Sequence, residues 1–72
     1  QLRQMKERVV RLEELIADAE NRLARFSGGV SEPATAANAE RIAELARLIA
    51  ETESEIERHT AEWEQLSLDL ES

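Results

Sequence analysis

Ser27–Pro33, SGGVSEP, is the one place where a regular apolar pattern in this 72-residue chain stops and starts again. If the backbone breaks there, two helices can fold back on each other; if it does not, the chain is a single rod. Before it, Leu2, Met5, Val9, Leu12, Ile16, Ala19, Leu23 and Phe26 follow alternating spacings of three and four. After it, Ile42, Leu45, Ile49, Thr52, Ile56, His59, Trp63, Leu66 and Leu70 do the same. That alternation is a heptad seam, a narrow apolar stripe that needs a partner helix. Alternation at period two is missing, and Ala, Glu, Leu and Arg dominate, so strands are not expected.

The two glycines of the break can adopt the positive φ that ends a helix. Ser31 suits an N-cap, and Pro33 is tolerated in a first helical turn because an N–H there has no intrahelical acceptor. The expectation is an all-α, antiparallel two-helix coiled-coil hairpin: a first helix at about residues 1–27, a turn at about 28–31 and a second helix at about 32–70. A connection this short favours antiparallel neighbours.

The seams can mesh in two registers one heptad apart. One sets Leu2 opposite His59, Ala19 opposite Ile42 and Leu12 opposite Ile49. The other sets Leu2 opposite Leu66, Phe26 opposite Ile42 and Met5 opposite Trp63, and turns the residues after Phe26 into a long loop. The first is preferred because it places Leu15 beside Leu48 and Lys6 near Glu53, whereas the second opposes Glu13 to Glu53. It leaves Trp63, Leu66 and Leu70 beyond the end of helix one. Burying each such side chain is worth about 1.5–3 kcal/mol, so these three residues are the candidate protein interface. Their partner would be another domain of the parent chain or a second copy making a four-helix bundle.

Composition removes several classes of function. The chain has no Cys, and no apolar run approaches the roughly 20 residues that cross a bilayer. The start, QLRQMKERVV, lacks the apolar core of a signal peptide. Cytoplasmic location is expected, and the opening on Gln1 within helical pattern reads as a fragment of a longer protein. A chain of this size buries too little for a deep catalytic pocket. It has no Gly-rich phosphate loop and no Ser/His/Asp set, so the fragment is not read as an enzyme and no cofactor is expected. The net charge of −7 is uneven. Residues 1–26 hold six Lys and Arg against five Asp and Glu, while residues 27–72 hold three against eleven. Such an acidic second helix disfavours phosphate backbones and anionic membrane surfaces.

Several single residues have plainer roles than chemistry. His59 has Glu55 and Glu62 on its helical face, but a Glu-x-x-His ligand pair is broken by Ile56, and there is no second His. It reads as a seam residue, hydrogen-bonded at the edge, and no metal site is expected. Thr52 reads as a polar seam residue serving register. Trp63 lies between Glu62 and Glu64, which suits protein contact better than base stacking. Asp18 with Arg22 and Glu7 with Arg11 have the spacing of helical ion pairs. Arg22, Arg25 and Arg41 near the hairpin tip are the weak candidates for nucleic-acid contact.

The Leu-rich first helix (RLEELIADAENRL), the Pro-containing break, a second helix of the AERIAELARLIAETESEIE kind, and a late Trp followed by Leu (EWEQL, Trp63 and Leu66) together resemble the C-terminal coiled-coil domain of the ABC-F ATPases. These are soluble relatives of ABC transporters. The resemblance covers nearly the whole chain. It implies a cytoplasmic parent with two upstream ATP-binding domains that carry ATP hydrolysis, acting on ribosomes, with this hairpin as an accessory arm. In some members the arm is linked to DNA or RNA binding.

Overall fold

A computed structural model describes all 72 residues. It contains α1 (Leu2–Val30), α2 (Pro33–Ala36) and α3 (Ala39–Glu71). The long helices α1 and α3 pack against each other and run antiparallel, since Gly29 lies against Leu45 at one end while Arg8 reaches Glu62 towards the other. The fold class is the all-α hairpin that the two seams require. Every seam residue named above except Leu2 is buried or half-buried. Leu12, Ala19, Leu45 and Thr52 are fully buried.

The break differs from the expectation in position and in cause. α1 runs through both glycines to Val30, and neither glycine has a positive φ. Two interior glycines cost roughly 1 kcal/mol each relative to Ala, but here the seam continues beyond them. Val30 stands four residues after Phe26 and is half-buried, and a Leu45 methyl packs over the bare Cα of Gly29. Helix termination is the work of Pro33. A proline clashes with the helical conformation of the residue before it, and Glu32 is extended, with φ −74° and ψ 135°. The last turn of α1 tightens ahead of it, with the Ser31 N–H donating to the Gly28 carbonyl and the Glu32 N–H to that of Gly29.

The second long helix therefore starts at Ala39, not at about residue 32, and Ser31 is not its N-cap. Pro33 opens the single turn α2, which touches both long helices. Asn38 then caps α3: its Oδ1 accepts from the Arg41 N–H at 3.1 Å, and Glu40 in the first turn suits the positive end of the helix dipole. The Ala-rich stretch ATAAN serves as the connection.

The longer connection changes the register. The Trp63 indole reaches Glu13, Arg22 reaches Glu55, and Gly29 touches Leu45. These contacts set Phe26 level with Ile49, Ala19 with Ile56, Leu12 with Trp63 and Met5 with Leu70. Both registers considered from sequence are thus replaced by one that slides a further heptad beyond the second. The overhang disappears with them, because α1 and α3 have 29 and 33 residues and lie alongside each other almost end to end. At 1.5 Å per residue, α3 spans about 50 Å, matching the 52 × 14 × 14 Å extents of the molecule.

Candidate interaction surfaces

A two-helix seam has two edges, and in this hairpin they differ chemically. Along one edge, Arg8 and Arg22 on α1 meet Glu62 and Glu55 on α3, and the pairing of Leu15 with Leu48 expected from sequence is lost with the register that required it. Arg8 holds Glu62 with both its Nε (2.8 Å) and one terminal nitrogen (3.0 Å). Arg22 donates to Glu55 Oε2 at 2.7 Å. The hydrogen bond from each arginine, and then its charge, holds the Glu62 and Glu55 carboxyls below the usual carboxylate range. The same bonds raise both guanidinium pKa values. Neither expected local pair forms: Arg22 bonds Glu55 across the seam instead of Asp18, and Glu7 pairs with Arg3 one turn earlier on α1 instead of with Arg11.

His59 sits in the seam beside this edge, its side chain one-fifth exposed and its Nε2 3.6 Å from Glu55 Oε2. That separation is a charge contact when the ring is protonated and too long for a hydrogen bond, so the bonded edge histidine expected from sequence is corrected to a packed one. No three of the His, Asp and Glu residues come together in a metal-holding arrangement. Thr52 is buried, and its hydroxyl donates to the Leu48 carbonyl of its own helix at 2.7 Å. Its polarity is satisfied without reaching α1, which corrects the register role.

The other edge carries the indole. Trp63 Nε1 donates to Glu13 Oε2 at 3.2 Å. The ring lines a shallow cleft with Ile16, Ala17 and Thr60 on one side and a second with Ser67 and Leu68 on the other. Trp63, Leu66 and Leu70 are half-buried against α1 and do not project past it. All the clefts are open surface grooves, the largest apolar one running between Leu2 and Val10 on α1.

The three arginines expected at the tip are not brought together. Arg22 is tied to Glu55, which lies 14 residues after Arg41 on α3, about 21 Å of helix away. Arg41 bonds Glu44 at 2.9 Å. Arg25 is exposed and makes no ion pair, and it shares a polar groove with Asp18 and Arg22.

Residues 2–68 of this hairpin match the family model for the ABC transporter C-terminal domain. The chain belongs to the ABC transporter C-terminal domain family. As such it is a C-terminal accessory domain of an ABC-type protein, and a helical ABC transporter C-terminal domain is not itself the ATPase site. No helix in it is long and apolar enough to cross a membrane. Comparison with curated proteins and with solved structures returns no match.

The residues that sequence reasoning passed over in this ABC transporter C-terminal domain are Arg8, Glu13, Glu55 and Glu62 as inter-helix partners, Val30 as a seam residue and Asn38 as a cap. A usable signal existed for the first group. The positions flanking a seam recur every seven residues, and Arg8 and Arg22 on α1 have the opposite charge to Glu55 and Glu62 on α3.

Proposed function

We propose that the hairpin is a non-catalytic interaction arm of a cytoplasmic ABC-F-type ATPase, associating with the ribosome or its nucleic acid. ATP hydrolysis belongs to other domains of the parent. The observation that carries this reading is the match to the C-terminal domain family by a rod 52 Å long and 14 Å wide. Its apolar seam is covered from Met5 to Leu70, and its surface offers only open grooves. Two helices zipped from end to end are stiffer than either alone, which suits an element that must reach a partner and hold an orientation.

Two parts of the rod divide the contact. Protein contact falls to the end where the chain termini meet, around Trp63, Leu66 and Leu70, whose half-exposed surfaces rim the seam. Phosphate contact, where made, rests on Arg25 first. Arg22 and Arg41 would have to exchange Glu55 and Glu44 for a phosphate, a swap of one anion for another that gains little. The test is cosedimentation of the hairpin-bearing protein with ribosomes over a salt series. Association that weakens as salt rises and drops further on Arg25→Glu supports the reading; absence of association at low salt overturns it.

A further inference from the structure

The seam hides nearly all large apolar side chains, but Leu2, Val10 and Leu68 remain 57%, 56% and 59% exposed. They lie at the same end of the rod. Leu68 is level with Glu7, midway between Leu2 and Val10. They also border the same edge, the one that carries Trp63: Leu2 and Val10 flank a groove with Arg3, Lys6 and Glu7, and Leu68 borders one with Trp63, Glu64 and Glu71. Arg3 is paired with Glu7 within the α1 groove, so Lys6 is the cation left over on its rim, while the α3 patch is apolar with an acidic rim. The two are complementary, yet they sit side by side on one molecule and cannot meet within it.

We infer that this face binds a second copy of the same chain. A two-fold axis parallel to the rod brings α1 of each copy onto α3 of the other at the same level. Leu68 of the second copy then enters the groove between Leu2 and Val10 of the first, and the symmetric contact forms at the same time. Glu71 of the second copy, level with Gln4, comes between Arg3 and Lys6, so opposite charges flank each apolar contact. The closed symmetry limits assembly to two chains, giving a short four-helix bundle at one end and two free rods beyond it. The footprint covers part of one narrow face, at the small end for protein interfaces, so the dimer is weak and reversible. This inference is independent of ribosome association.

The experiment is sedimentation velocity of the chain from about 10 µM to about 1 mM, the range in which small interfaces associate. Wild type is expected to pass from monomer towards dimer and no further. Leu68→Glu, an exposed change with little reach into the fold, should weaken association by about tenfold or more by placing a charge in the apolar groove. Lys6→Glu and Glu71→Lys should each weaken it, and the doubly exchanged chain should recover. A wild type that stays monomeric at the highest concentration overturns the inference, as does growth beyond two chains. Dimerisation unchanged in Leu68→Glu, with circular dichroism showing both proteins equally helical, also overturns it.

Discussion

Replacing Gly28 with alanine reads out directly how the hairpin turns. In the structure Gly28 is an ordinary helical residue with negative φ, and a Cβ built on it meets nothing within 4 Å. Nothing has to move to admit the methyl group. The gain is the helix-propensity difference together with the lost freedom of the unfolded chain, about 0.5–1 kcal/mol. For a domain of this size, each kcal/mol moves the melting temperature by roughly 4–8 °C, so a rise of about 2–8 °C is expected on thermal denaturation followed by circular dichroism at 222 nm. Had Gly28 capped the helix in a left-handed conformation, as the sequence alone suggests, alanine would be strained and the sign would reverse. Gly29→Ala is the companion measurement. Its Cβ would sit 3.4 Å from a Leu45 methyl, an ordinary contact, so it should also stabilise. A fall in melting temperature for Gly28→Ala would refute the continuous helix and restore the glycine stop.

Thr52→Val should leave stability within about 1 kcal/mol of wild type or raise it, because the hydroxyl is bonded only within its own helix; urea denaturation checks this, and a changed oligomeric state would reinstate a register role for Thr52. Trp63→Ala should cost roughly 1.5–3 kcal/mol, less than a fully buried aromatic because the ring is half-exposed, and chemical denaturation measures it. The Glu55 and Glu62 carboxyls are held below their ordinary value of 4.5 by hydrogen bonds from Arg22 and Arg8. A carboxylate depressed in the folded state contributes stability that is present above its unfolded value and lost as pH falls through the folded one. The hairpin should thus lose melting temperature on acidification below about pH 4.5, and Glu55→Gln with Glu62→Gln should flatten that part of the profile.

How much of this was legible in the sequence depends on which physical term decides each feature. The seams from Met5 to Phe26 and from Ile42 to Leu70 were readable because burial repeats with the helix period and each residue reports its own face. Val30 escaped because it follows two glycines, and local preference suggested a stop where packing against Leu45 overrides it. Pro33 carries the true signal, through its effect on Glu32: a proline both suits the start of a helix and ends the one before it, and here the second effect decides.

Register was the least legible feature. A heptad pattern looks the same after every slide of seven residues, so Ala19 can face Ile42, Ile49 or Ile56 at similar apolar cost. The choice is made by the length of the connection and by the seam edges. Here the turn α2 lengthens the connection, and Arg8 with Glu62 and Arg22 with Glu55 close the edge. Of the candidate interface, the identities of Trp63, Leu66 and Leu70 came from the pattern. Their position against α1 could not, since it follows from the register.

Nuclear Overhauser contacts from the Trp63 ring, recorded at a concentration low enough to keep the chain monomeric, test that register most directly. The structure predicts contacts from the indole to the side chains of Ile16 and Ala17, which line the same cleft. Contacts from the indole to the Met5 methyl instead, or none to any residue of α1, would contradict it.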